Sequence, residues 1–247
     1  MIKVIAFDVD GVLIDSAHEA FISALRALEK LGKKLGSGIE EKYNKLRPLL
    51  RDSKDFFAML KIIEEQDDID SVGREDLDKI REEYKTESEK YPDAFFKSRH
   101  EMQDQNYEKW FSLLKTYPNM VESLNSLAKK YKIAIASTRD MKSISDIIER
   151  LGFDVDKDNI FSRDITESKI EHLKLISEKF SVSPKDIFFI DDNIDQLKMT
   201  RSLGIKVALS KWGYNNEKQL EEAKKLNILI IEKPEDIEKE IKMLDKY

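Results

Sequence analysis

Short, almost unbroken apolar runs recur along the chain, one at its start and the rest in its second half. Residues 2–7 (Ile-Lys-Val-Ile-Ala-Phe) are nearly all apolar and include β-branched members. That pattern predicts a strand covered on both faces rather than an amphipathic edge. Comparable runs stand at 132–137, 187–190, 205–209 and 228–231. Between them the apolar spacing turns helical. One such stretch covers 141–151 and stops at Gly152, and another runs from about 169 to 180. A third covers about 195 to 203 and is closed by Gly204, and a last one follows Pro234. Strand and helix alternating at these intervals predict right-handed βαβ units, a parallel sheet and the α/β class.

Residues 16–115 show no comparable strand. Their apolar positions repeat at helical spacing, as in Phe21, Leu25 and Leu28, or Phe56, Met59, Leu60 and Ile63. The expected organisation is therefore a sheet-bearing core of 1–15 and 116–247, interrupted by a helical domain of 16–115. Phe95, Phe96, Trp110 and Phe111 read as the inner packing of that insertion rather than a stacking platform. Arg47, Arg51 and Lys54 read as part of its solvated face.

Composition narrows the function classes. The 247 residues contain no cysteine, which excludes a disulfide scaffold, a cysteine zinc site and a thiol nucleophile. The net charge of −6 comes from interleaved signs, so no polybasic surface offers itself to nucleic acid or anionic lipid. No stretch resembles the apolar core of a signal peptide, and none approaches the ~18–20 residues that span a bilayer. A soluble, cytoplasmic protein without nucleic-acid or membrane partners is expected. His18, His100 and His172 lack the spacing of metal ligands and are expected to be structural or superficial.

Carboxylates gather where the apolar runs end. Asp8 and Asp10 follow the first run, with Gly11 permitting a sharp turn beyond them. Like charges this close are hard to keep ionised without a cation, although solvated turn aspartates share the same pattern. Ser137 and Thr138 end the second run. Their hydroxyls suit either anionic oxygens or the cap of the next helix. Asp191, Asp192 and Asp195 follow the run at 187–190. A helix dipole accounts for Asp195. An adjacent pair ending a buried strand suits a hard divalent cation such as Mg²⁺. Lys169 opens a predicted helix; it is a surface residue, or the cation that an acidic site needs beside a phosphate.

In this order and spacing the residues resemble the haloacid dehalogenase-like hydrolase superfamily. Phe-Asp-Val-Asp-Gly-Val-Leu-Ile-Asp-Ser, residues 7–16, is similar to its first motif. Ser137 looks like its second motif and Lys169 its third. Ile190-Asp191-Asp192 followed by Leu203-Gly204-Ile205 looks like its fourth. The likeness covers 1–16 and about 117–245. An insertion directly after the first motif resembles the phosphoglycolate phosphatase-like subfamily, as does the tail with Trp212-Gly213-Tyr214.

The resemblance implies a Rossmann-like parallel sheet core flanked by helices, with the inserted helical domain acting as a cap over the site. It implies Asp8 as nucleophile forming an aspartyl phosphate, and Asp10 as general acid and base. Ser137, Thr138 and Lys169 would hold the substrate phosphate. Mg²⁺ would be held by Asp8, the Asp10 main-chain carbonyl and Asp192, with Asp191 adjacent or acting through water. The family's fourth motif commonly reads Gly-Asp, and Asp191 stands in place of the glycine, so both aspartates remain candidates. The implied activity is hydrolysis of a small phosphomonoester of the phosphoglycolate or sugar phosphate type. A phosphomutase and a non-catalytic binding protein are the other readings, and a monomer or homodimer is expected.

Overall fold

In the computed structural model the strands are β1 (Val4–Phe7), β2 (Ile14–Asp15), β3 (Lys115–Thr116), β4 (Lys132–Ala136), β5 (Ile160–Phe161), β6 (Ile187–Asp191), β7 (Lys206–Ser210) and β8 (Leu229–Ile231). The structure describes residues 1–36 and 38–246. One six-stranded sheet has the order β5–β4–β1–β6–β7–β8, and its neighbours are all parallel. β1 is central: Val4 lies opposite Lys132 on one side and Ile187 on the other. Val4, Ile5, Ala6 and Phe7 are fully buried, which explains why this segment reads as a continuous apolar run.

The helices in the strand-bearing part are α7 (Met120–Ala128), α8 (Met141–Leu151), α9 (Lys169–Phe180), α10 (Ile194–Arg201), α11 (Glu217–Lys225) and α12 (Ile237–Leu244), numbered after the helices of the insertion below. The α8 and α9 spans coincide with the stretches expected from periodicity. α10 starts one residue earlier than expected because Asn193 caps it, its side chain accepting from the amides of Asp195 and Gln196. The edge strand β5, the two-residue strands β2 and β3 and the helices α7 and α11 are elements that the hydrophobic pattern did not reveal. Two residues are too short for any period to register, and β5 exists because Ile160 and Phe161 pair with Ile135 and Ala136 of β4.

Two compact units result: Met1–Asp15 with Thr116–Tyr247, and Ser16–Lys115. The second holds α1 (Ala17–Lys30), α2 (Glu40–Leu46), α3 (Lys54–Glu65), α4 (Arg74–Glu83), α5 (Lys85–Gln105) and α6 (Tyr107–Phe111). Aromatic rings fill its core: Phe56 stacks on Phe95 at 4.7 Å, and Phe95 meets Phe96 edge-on at 5.2 Å. A buried polar knot crosses that core. Glu19 of α1 accepts from Arg99 Nε of α5 at 2.9 Å and from Ser23 Oγ at 2.8 Å, and Trp110 Nε1 of α6 points at it from 3.4 Å. A buried carboxylate is tolerable there because its oxygens are met by donors and a guanidinium. Among the described residues no helix is long and apolar enough to cross a membrane.

Candidate active site

Parallel strands deliver their carboxyl ends to one edge of the sheet, and ligands of such sheets bind beyond that edge. Asp8 is the first residue after β1, and its amide donates to the Ile190 carbonyl at 3.0 Å. Asp191 ends β6, Asp192 follows it, and Ser137 follows β4. Lys169 is the first residue of α9, behind the capping side chain of Ser168.

These origins bring four of the sequence-predicted residues together. Lys169 Nζ lies 2.7 Å from Asp8 Oδ2 and 2.6 Å from Asp191 Oδ2. Asp8, Asp191 and Asp192 each offer an oxygen within 4.8 Å of the others, and all three are buried. The other Asp191 oxygen accepts from the Asn193 amide at 2.8 Å. Asp192 Oδ2 accepts from the Tyr214 amide at 2.7 Å.

The electrostatics of the cluster are unbalanced. Burial above all pushes the Asp8 carboxyl up to about 6; Lys169 opposes that, while Asp191 and Asp10 add to it. Burial also disfavours the Lys169 ammonium, yet Asp191 and Asp8 outweigh it and hold its pKa above the ordinary lysine value. Asp8 and Asp191 thus share one ammonium, and among the described residues Asp8 Oδ1 is buried with no hydrogen-bond partner. An orphaned, buried carboxylate oxygen beside two further aspartates is the donor set that a hard divalent cation fits.

The remaining predicted residues lie close by without joining the cluster. Asp10 turns to the guanidinium of Arg139, with Nη1 2.6 Å from Oδ1. Ser137 is buried, its amide donating to the Phe161 carbonyl at 3.0 Å and its Oγ accepting from the Arg139 amide at 3.3 Å. Thr138 is half-buried on the same loop. Neither hydroxyl is hydrogen-bonded to Asp8, Lys169 or Asp191 among the described residues. Asp195 sits in the first turn of α10 and pairs with Lys198 at 2.6 Å, as a dipole-directed aspartate should. His172 is buried with Nε2 3.0 Å from the Ser162 carbonyl, and His18 is exposed beside Glu40, so both are accounted for structurally.

The turn after β1 is held from the far end of the chain. The amides of Leu13 and Ile14 donate to the Val9 carbonyl at 2.9 and 3.1 Å, closing a tight loop. Gly11 has φ +82° there, and a Cβ would overlap the Asp192 carboxylate. Trp212 Nε1 donates to the Val12 carbonyl at 3.0 Å, and the Tyr214 hydroxyl donates to Asp15 at 2.8 Å. Between them Gly213 lets the two backbones touch, because a Cβ at 213 would collide with the Gly11 carbonyl and Asp192 Cβ. Gly213→Ala is expected to lower the unfolding free energy by about 1–3 kcal/mol, the usual range for overpacking. Urea denaturation reads this, and an unchanged midpoint would mean that the loop yields freely.

Arg139, Gly213 and Tyr214 have no chemical role in the reading of the sequence alone. For Arg139 the available signal was a cation directly after Ser137 and Thr138 at a strand end.

A family model described as haloacid dehalogenase-like hydrolase matches residues 2–204. Among curated protein sequences none matches the chain. Several solved structures share the fold. A predicted phosphatase from Clostridium acetobutylicum is 16% identical, with a TM-score of 0.68 and 98% of each chain covered. A predicted phosphoglycolate phosphatase from Haemophilus somnus is 19% identical, with a TM-score of 0.65, covering 96% of this chain and 97% of its own. A haloacid dehalogenase-like family protein from Streptococcus pneumoniae is 17% identical, with a TM-score of 0.64 and coverage of 97% and 98%.

Proposed function

The chain belongs to the haloacid dehalogenase-like hydrolase family, and on that premise we propose that it is a Mg²⁺-dependent phosphatase of small phosphomonoesters. The observation that carries this reading is Asp8, whose Oδ2 is held by Lys169 at 2.7 Å while its buried Oδ1 lacks a partner among the described residues. A carboxylate fixed on one side and bare on the other is arranged as a nucleophile. The similar structures described as phosphatases support the same class.

Asp8 attacks phosphorus through a carboxylate oxygen as the ester P–O bond breaks, and the departing oxygen takes a proton from Asp10. Asp10, now ionised, accepts a proton from the water that attacks the aspartyl phosphate. Inorganic phosphate leaves and Asp8 is regenerated. Lys169 holds Asp8 in line and neutralises charge on the transferring group, and Ser137 with Thr138 supplies hydroxyls to its oxygens. Asp8, Asp192 and the Asp10 carbonyl would hold Mg²⁺, which when bound offsets the repulsion between carboxylate and phosphate. Asp191, engaged by Lys169 and the Asn193 amide, would stand adjacent to the ion or act through water. We assign residues 16–115 the role of a cap that excludes water and selects the leaving group, the whole acting in the cytoplasm as a monomer or homodimer.

A panel of phosphomonoesters, phosphoglycolate and sugar phosphates included, tests the reading. Phosphate release that EDTA abolishes and Mg²⁺ restores is expected. Interconversion of hexose phosphate isomers with little free phosphate would indicate a mutase instead, and silence across the panel a binding protein.

Metal binding has its own readout. The folded-state pKa of Asp8 is raised to about 6 from 3.8. Its ionisation therefore costs stability as pH rises through that window, and a cation offsets the cost only above it. Millimolar Mg²⁺ should raise the melting temperature by about 5 °C at pH 7.5 and by clearly less at pH 5. An equal shift at both values would show the ion binding elsewhere.

A further inference from the structure

Arg139 is the cation in the site that the mechanism above does not use. Its side chain has no exposure to solvent, whereas that of Asp10 retains 23%. A guanidinium withdrawn from water is costly unless it meets a carboxylate, and Arg139 meets Asp10 at 2.6 Å. The main chain of Arg139 is anchored at both ends, its amide on Ser137 Oγ at 3.3 Å and its carbonyl on the Arg163 amide at 3.1 Å. It follows β4, which pairs with β1 residue by residue as far as Ile135 opposite Phe7. A rigid strand thus aims a planar, directional donor at a side chain that stands on a turn.

We propose that Arg139 is a positioning residue that fixes the carboxyl group of Asp10 toward the leaving oxygen of the substrate. The pair immobilises Oδ1 and with it the rotamer of Asp10. The proton delivered in the first step then rides on Oδ2 and passes to the departing alkoxide as the P–O bond breaks. Arg139 itself exchanges no proton. The inference rests on the phosphatase reading and adds a specific signature to it. A well-placed acid matters for an alkoxide leaving group and hardly at all for p-nitrophenolate, which departs unaided.

The experiment compares kcat/KM, which reports the first phosphoryl transfer, for p-nitrophenyl phosphate and for the best primary-alcohol phosphomonoester of the panel. Arg139→Met is expected to lose about 100-fold on the alkyl ester and under about 5-fold on the aryl ester. In an Asp10→Asn background the same substitution should cost nothing further, because Arg139 acts through Asp10. Arg139→Lys, which keeps the charge without the fork, should recover part of the alkyl activity. Should Arg139→Met fail to fold by circular dichroism, Arg139→Lys and Arg139→Gln carry the same comparison. An equal loss on both esters, or a full additional loss in the Asp10→Asn background, would overturn the proposal; either would mark Arg139 as a phosphate ligand or a plain structural residue. Wild-type protein that hydrolyses both esters, with Arg139 variants that match it, refutes this inference alone. Wild-type protein inactive on both refutes the phosphatase reading and this inference with it.

Discussion

Asp8→Asn is expected to lower phosphate release from p-nitrophenyl phosphate by about 10⁴-fold or more while leaving the protein folded. The amide is isosteric, and its oxygen still accepts from Lys169 where Oδ2 does at 2.7 Å. What it lacks is the anionic oxygen that attacks phosphorus in the proposed mechanism. The melting temperature separates this from damage to the fold. Asp8, Asp191 and Asp192 lie within 4.8 Å of one another, and burial disfavours the charge on Asp8. Replacing one of these carboxylates relieves repulsion. At pH 7.5 without Mg²⁺ the variant should melt no lower than the wild type, and its Mg²⁺-dependent shift should shrink. Retention of full hydrolytic activity would remove Asp8 from the mechanism.

Lys169→Met should cost both stability and rate. Lys169 Nζ touches Asp8 at 2.7 Å and Asp191 at 2.6 Å, and it is buried over the face of Phe189. Removing it strands two buried carboxylates, for which the usual penalty is about 3–5 kcal/mol at neutral pH. The sign of the pH dependence follows from the charges. With the ammonium gone, nothing opposes the burial that raises the Asp8 pKa, so Asp8 holds its proton to higher pH, and a protonated acid needs no counter-charge. The deficit against wild type should therefore be largest at pH 7.5, shrink towards pH 5, and be partly repaired by Mg²⁺. Urea titrations at the two pH values measure it, and a variant as stable as wild type at pH 7.5 would contradict the network. On the proposed mechanism activity should fall by roughly 10³-fold, since the charge assigned to neutralise the transferring phosphoryl group is lost. Lys169→Arg keeps the charge in a shape that does not bridge the same two oxygens, and should fall between.

The fold was legible where burial on both faces leaves continuous apolar runs. β1, β4, β6 and β7 announce themselves in that way, and α8 and α9 do so through their period and stops. β5 was not legible, because two residues carry no period and the pairing with β4 alone creates it. Asp8, Asp191, Asp192 and Lys169 stood out because charges that interrupt or adjoin buried strands are chemically conspicuous. Arg139 did not stand out, being one of 43 basic residues. Its meaning arises from Asp10, 129 positions away in sequence and adjacent only after the sheet forms. The Trp212–Tyr214 loop is similar: its bonds reach back across about 200 positions, to Val12 and Asp15.

The placement of β1 between β4 and β6 has a consequence for biogenesis. The ribosome makes β1 before either neighbour, and its nearest pairing partner, Lys132 opposite Val4, emerges 128 residues later. Ser16–Lys115, by contrast, is one uninterrupted segment with its own aromatic core. The helical insertion can thus condense co-translationally while the greasy leading strand waits, unzipped, for the last half of the polypeptide.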